Sequence, residues 1–275
     1  MEVGIVARKG SERAAAVASD LRDAIVDVGG AVWLDAETAS ALGEPDQGRA
    51  VDALADSDLA VAVGGDGTFL FVARNAGGTP IVGVNLGEVG FLNAVSPEDA
   101  EDAILAEVQA FADDGLRVRE VPRLAARSGD WESVPAANEI VVMGDRRGPG
   151  AGIGYEVRVD GVTYTAGHGD GVLVATPTGS TAYNLSEQGP LVHPDVSGLV
   201  VNEMAANDGM PPLVVGLDAT ITVAVESPGG AVVVSDGRNA TTLDDQADVT
   251  IERTAPPMRI AGPPSDFFEA LEKLS

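Results

Sequence analysis

Leu59-Ala60-Val61-Ala62-Val63-Gly64-Gly65-Asp66-Gly67-Thr68 decides the fold: five apolar residues run unbroken into a glycine-rich turn, and Phe69 to Asn75 continue as a helix. An apolar run without alternation reads as a strand buried on both faces, as in parallel sheets. Upstream, Val3 to Ala7 is a short strand. Ser11 then opens a helix with Val17, Leu21, Ile25 and Val28 at helical spacing, ending at Gly29-Gly30. Ala31 to Leu34 reads as a second strand and Arg49 to Ser57 as a short helix. Downstream, Ile81 to Val84 is a buried strand. Ser96-Pro97-Glu98-Asp99 supplies an N-cap, a proline at the first helical position and early acids for a helix that reaches Phe111 and stops near Gly115. Strands alternating with helices define an α/β domain with a parallel sheet over residues 1–115.

Beyond Leu116 the pattern changes to short β-rich runs: Leu116 to Ala126, Glu139 to Met143, Tyr155 to Val159, Val172 to Ala175, Leu213 to Val215, Ala219 to Val225 and Ala231 to Val234. Turn signals such as Asp160-Gly161 and Pro228-Gly229-Gly230 separate them. Residues 116–253 are therefore expected to form a predominantly β, sandwich-like domain. In residues 254–275, Ser265 to Leu274 reads as a helix with Phe267, Leu271 and Leu274 on one side, returning to pack on the first domain.

The chain has 275 residues and no cysteine, which removes disulfides, cysteine nucleophiles and thiolate metal sites. With only His168 and His193, any metal is expected to be a hard cation such as Mg²⁺. No apolar run reaches the roughly 18 residues a membrane span needs, and charges interrupt any secretory pattern, so the expected location is cytoplasmic. Forty-three acids against 17 bases give a net charge of −26, and Lys9 and Lys273 are the only lysines. Such a surface repels nucleic acid and anionic lipid, which excludes both as partners. It fits salt adaptation: at about 1 M salt the Debye length falls to about 3 Å and self-repulsion is screened.

Chemistry concentrates in two places. In Gly64-Gly65-Asp66-Gly67-Thr68 the glycines let main-chain amides approach phosphates, and a helix N-terminus adds partial positive charge. Asp66 is the anomaly. A carboxylate among phosphate-cradling amides repels its ligand unless it binds a metal or removes a proton, which argues for phosphoryl transfer; the plain alternative is a tight turn with aspartate as turn former. The second place is Thr176-Pro177-Thr178-Gly179-Ser180-Thr181-Ala182-Tyr183-Asn184-Leu185-Ser186, with six hydroxyl side chains in eleven residues. It can present donors, acceptors and an aromatic face to ribose or adenine, or be a threonine-rich turn. Asn138-Glu139, at a strand entry, is by itself only a solvated loop end.

Taken together, the Gly-Gly-Asp-Gly-Thr loop, Asn85-Leu86-Gly87 with Gly90-Phe91-Leu92, Asn138-Glu139, and Asp170-Gly171 leading into Thr176 to Tyr183 stand in the order and approximate spacing of the NAD kinase family. The chain resembles that family, clearly over residues 59–195. The resemblance implies transfer of phosphate from ATP, or polyphosphate, to the 2′-hydroxyl of the adenosine ribose of NAD with Mg²⁺. It makes Asp66 the general base and Gly64, Gly65, Gly67 and Thr68 the phosphate loop. It gives Asn138 and Glu139 to the adenosine and its ribose, Asp170 to the nicotinamide side, and Thr178, Thr181, Ala182, Tyr183 and Ser186 to the nucleotide pocket, with Phe91 as a packing wall. It also implies a homodimer or homotetramer.

Some residues depart from the family pattern. Glu187-Gln188-Gly189-Pro190 stands where the family shows Ala-Gly-Gly-Pro, and Ser235-Asp236-Gly237-Arg238 replaces the glutamine of an Asp-Gly-Gln turn with arginine and is given no catalytic role. Arg74 offers a charge for phosphate or is a helix-surface arginine, and His168 is a polar loop residue or tunes the site. Two other functions share these residues: a lipid kinase with the same glycine loop, and an NAD or NADP sensor without turnover.

Overall fold

In the computed structural model, which describes residues 1–87, 90–113, 115–146, 148, 151–226, 229–244 and 246–272, the chain divides into two units, Met1–Val121 with Pro256–Ser275, and Pro122–Ala255. The first contains β1 (Glu2–Ala7), α1 (Glu12–Asp27), β2 (Ala31–Leu34), α2 (Ala36–Ala41), β3 (Leu59–Gly64), α3 (Asp66–Asn75), β4 (Ile81–Asn85) and α4 (Ala100–Asp113). Its strands run parallel in the order β2-β1-β3-β4. Every residue of β3 and β4 is buried, as an unbroken apolar run requires when both faces are covered. Ala14, Ala18, Leu21 and Ile25 form the stripe by which α1 packs on this sheet. Ser11 Oγ caps α1, accepting from the Ala14 amide at 3.2 Å.

Several local expectations shift. Val28 is the C-cap of α1 and is exposed rather than part of the apolar stripe. Arg49 to Ser57 contains a 3-10 helix, Val51–Asp56, that buries Leu54. Helix α2, capped by Asp35, has no counterpart among the expected elements. Helix α3 begins at Asp66, three residues before Phe69, because its first turn is the glycine loop itself. Helix α4 begins at Ala100: Ser96 Oγ accepts from the Asp99 amide at 3.1 Å, but residues 97–99 form a bend before the helix. It ends as expected, with Gly115 at φ +91° donating to the Ala110 carbonyl at 2.8 Å.

The second unit is mostly β: β5 (Arg119–Ser128), β6 (Trp131–Glu132), β7 (Glu139–Met143), β8 (Ile153–Val159), β9 (Val162–Gly169), β10 (Gly171–Ala175), the short helix α5 (Tyr183–Ser186), β11 (Gly198–Met204), β12 (Leu213–Gly216), β13 (Ile221–Glu226), β14 (Ala231–Ser235), β15 (Arg238–Leu243) and β16 (Asp248–Ile260). One antiparallel sheet has the order β12-β11-β10-β7-β14-β15. Strands β16, β13, β8 and β9 pair antiparallel in another. Val172, Val174, Leu199 and Val201 of the first sheet share a core with Val157, Ile221, Val223 and Ile251 of the second, which makes a sandwich. Leu173, Ala175 and Val200, on the opposite face, pack with Val192 and Tyr183. Asp160 and Gly161, at φ 50° and 79°, close the β8–β9 hairpin. Pro228 of the Pro-Gly-Gly turn lies outside the described residues.

Strand β16 starts in the second unit and ends in the first, where Ile260 pairs parallel with Ile81 of β4 and Ala261 is buried in the core of that unit. Helix α6 (Phe267–Glu272) follows, with the Phe267 ring 5.9 Å from that of Phe91. The C-terminal helix thus returns to the first unit; Leu274 lies outside the described residues.

Candidate active site

In an open parallel sheet of order 2-1-3-4, ligands bind beyond the carboxyl ends of the strands flanking the reversal, here β1 and β3. Gly64 to Thr68 occupy that place. At Gly64 an added Cβ would lie 2.9 Å from Thr68 Cβ, so only glycine lets β3 meet α3 this closely. Gly65 is the N-cap of α3 and brings no side chain to the first-turn amides, which with Gly67 keeps the helix N-terminus open to an anion.

Asp66, the first residue of α3, turns its carboxylate to the loop that follows β4. It accepts from the amides of Phe91 at 3.2 Å and Leu92 at 3.4 Å, with the Asn93 amide as a third donor. At Gly90 an added Cβ would lie 2.7 Å from Asp66 Cγ, so that glycine is a condition of the clamp. Burial pushes the Asp66 carboxyl above the usual range, and the three amides pull it back only in part. Phe91 is braced in turn by the Phe267 ring and by Ser265 Oγ, which donates to the Phe91 carbonyl at 3.3 Å.

Two cations nearby carry little sequence signal. Arg8 lies so close that an added Cβ on Gly64 would be 3.1 Å from its Cβ, and Arg13 Nη1 donates to the Leu86 carbonyl at 3.1 Å. Only their position, just after β1, could have pointed to them. Arg74, a candidate phosphate partner by sequence, sits in the last turn of α3, roughly 12 Å along the axis from Asp66.

In the second unit the structure joins Asn138, Glu139 and the hydroxyl-rich segment. Thr176 Oγ1 donates to the Ala137 carbonyl at 2.6 Å, and the Thr176 amide donates to the Asn138 carbonyl at 2.8 Å. An added Cβ on Gly179 would lie 2.8 Å from Asn138 Cα. Ser180 Oγ donates to the Pro177 carbonyl at 2.7 Å and accepts from the Val192 amide at 3.0 Å. Buried Asn184 donates to the carbonyls of Ser180 at 3.2 Å and Pro190 at 3.0 Å. Thr176, Ser180 and Asn184 therefore hold the loop itself. Thr178, Thr181, Ala182 and Tyr183 are half-buried and Ser186 is exposed; Thr181 Oγ1 donates to the Thr178 carbonyl at 3.2 Å. Gln188, in the departure from the family pattern, adopts φ 59° just past α5, a conformation that favours glycine.

Asn138 Oδ1 and Glu139 Oε2 are buried without a hydrogen-bond partner, an expensive state that a ligand would relieve. Burial, reinforced by the charge of Asp236 and opposed by the Tyr183 amide, pushes the Glu139 carboxyl up to about 8. Asp236, which the sequence leaves without a role, accepts from the amides of Ala137 at 2.9 Å, Asn138 at 2.8 Å and Glu139 at 3.2 Å. Asp170 lies elsewhere. Strand β10 separates it from the Glu139 end of β7 by about 17 Å of extended chain, and its Oδ1 accepts from the Gly148 amide at 3.0 Å. His168 is exposed on β9.

Among the described residues no three or more His, Asp or Glu side chains cluster to hold a metal, and no helix is long and apolar enough to cross a membrane. A glycine-rich helix entry at the reversal of a parallel sheet, holding a half-buried carboxylate of raised basicity, defines a nucleotide-dependent phosphotransferase. The family model for the ATP-NAD kinase N-terminal domain matches residues 3–109, and that for the C-terminal domain matches residues 137–261. The chain belongs to the NAD kinase family. It is 75% identical to the NAD kinase of Halorubrum lacusprofundi over all of both chains, and 53% identical to that of Halobacterium salinarum, again over all of both. Among solved structures it is similar to an NAD kinase from Archaeoglobus fulgidus in complex with ATP, at 29% identity and a TM-score of 0.75, covering 94% of this chain and 93% of that one.

Proposed function

We propose that the protein transfers the γ-phosphoryl group of ATP to the 2′-hydroxyl of the adenosine ribose of NAD, with Asp66 as the general base. The Asp66 carboxylate takes the hydroxyl proton, the oxygen bonds to the γ-phosphorus, and the bond to the β-γ bridging oxygen breaks to release ADP and NADP. The observation behind this is a carboxylate held by main-chain amides and made more basic by burial, at the sheet position where α/β folds bind ligands. Gly64, Gly65, Gly67 and Thr68 supply amides and a hydroxyl to phosphate, and Phe91 packs beside them.

Asn138 and Glu139 contact the adenosine and its ribose through the oxygens that have no partner within the protein. Thr178, Thr181, Ala182, Tyr183 and Ser186 line the nucleotide pocket, and Asp170 serves the nicotinamide side at the other end of β10. The Mg²⁺ that the family resemblance implies would be carried largely by the ATP phosphates and would supply charge neutralisation there. A homodimer or homotetramer is proposed from the family resemblance and is measured by light scattering in KCl.

The test is NADP formation by the purified protein in concentrated KCl with Mg²⁺, supplying ATP or polyphosphate. Asp66→Asn is expected to lower kcat by roughly two to four orders of magnitude while the KM for NAD stays within a few-fold. Undiminished turnover would remove Asp66 from this role.

A further inference from the structure

Asp236 and Gly237, at φ 47° and 65°, close a two-residue hairpin between β14 and β15, with Ser235 paired to Arg238. Asp-Gly is a common choice for such a turn on steric grounds, and that would explain an aspartate here without further meaning. It does not explain where the side chain goes. The carboxylate reaches across almost 100 residues of sequence, with Oδ1 on the amides of Asn138 and Glu139 and Oδ2 on that of Ala137, while the Asp236 amide donates to the Glu139 carbonyl at 3.0 Å. Successive amides converging on one anion form a main-chain concavity, and a protein side chain fills it. Arg123 of β5, 5% exposed, feels the same charge: burial lowers its guanidinium and the Asp236 carboxylate opposes that in part.

We propose that Asp236, backed by Arg123, is the positioning residue of the Asn138–Glu139 pair and sets the affinity for the NAD adenosine without touching it. The inference rests on the assignment of that pair to NAD. The two unpartnered oxygens, Asn138 Oδ1 and Glu139 Oε2, belong to the residues whose amides Asp236 fixes. The groups facing Glu139 are Asp236 from the β14–β15 turn, which raises its carboxyl, and the Tyr183 amide from α5, which lowers it. Asp236 therefore orders the backbone and also biases Glu139 towards its neutral form.

Asparagine suits this turn as well as aspartate, so Asp236→Asn keeps the hairpin and removes the charge. Wild type, Asp236→Asn and Glu139→Gln are compared as full chains in KCl. For Asp236→Asn the KM for NAD is expected to rise about tenfold or more, since hydrogen bonds to a charged group are lost, with the KM for ATP unchanged within about twofold. The ionisation seen in the pH profile of the NAD KM should also move to lower pH. An unchanged NAD KM and profile, or equal loss for both substrates, overturns the inference. If Glu139→Gln itself leaves the NAD KM unchanged, the assignment of the pair fails and the inference falls with it. If Glu139→Gln raises the NAD KM and Asp236→Asn does not, only the positioning role fails. Should Asp236→Asn not fold, Arg123→Gln, which leaves the hairpin sequence intact, must selectively raise the NAD KM for the inference to stand.

Discussion

Glu139 shows how a single carboxyl reports its surroundings. Its ordinary value is 4.5 and burial with Asp236 alongside takes it up to about 8, so the folded chain holds a proton that the unfolded chain releases. The stability this confers is complete below about pH 4.5 and is lost as pH rises through about 8. Glu139→Gln is therefore expected to unfold at higher urea than the parent at pH 9, an advantage that disappears at pH 5; equal midpoints at pH 9 would contradict it. Gly90 makes a second case. Its missing side chain leaves room for the Asp66 carboxylate, so Gly90→Ala should lower kcat by at least about tenfold, because small displacements of catalytic groups are costly. Asp66 could be singled out from sequence, because a carboxylate inside a phosphate loop is chemically odd. Asp236 could not, because its importance lies in three amides far away along the chain, and the Asp-Gly pair signals only a turn.

At the level of elements, the first unit was legible where its strands are unbroken apolar runs and where Ser11 caps α1, whereas α2, capped by Asp35, has only six residues and shows no helical periodicity. Ser11→Ala removes one such cap and should cost about 1 kcal/mol, seen as a Tm lower by about 2–4 °C. Two of the strands left unnamed had weaker signals. Strand β9 is an edge strand whose residues are mostly exposed, so apolar alternation is missing, and β16 contains Pro256 and Pro257, which argue against a strand when only the sequence is read. Gln188 shows the opposite case: it stands where the family pattern has glycine, and its own backbone is left-handed at φ 59°. Gln188→Gly removes a steric penalty of about 1–2 kcal/mol and adds chain entropy worth about 0.5–1 kcal/mol. The net change in unfolding free energy should be a gain no larger than about 1.5 kcal/mol. Helix α6 acts through Phe91: truncation after Gly262 removes Ser265 and Phe267 and should lower kcat along with stability, whereas unaltered kcat would show the Asp66 clamp to be self-supporting.

For the molecule as a whole, net charge governs the response to salt. The ion pairs are mostly exposed, such as Lys9–Glu37 at 3.0 Å, and each contributes roughly 0–1 kcal/mol. Salt weakens those pairs only slightly but screens the repulsion among 43 acids. Tm and activity are expected to rise from dilute buffer into molar KCl, and a Tm independent of KCl would refute this. The split of the first unit around the second has a further consequence during synthesis. The strand end at Ile260, the core residue Ala261 and the aromatic brace at Phe267 leave the ribosome after the whole of the second unit. The nascent α/β half must wait, with the β4 edge uncovered, until that segment arrives, so its maturation is bound to come after the sandwich has emerged.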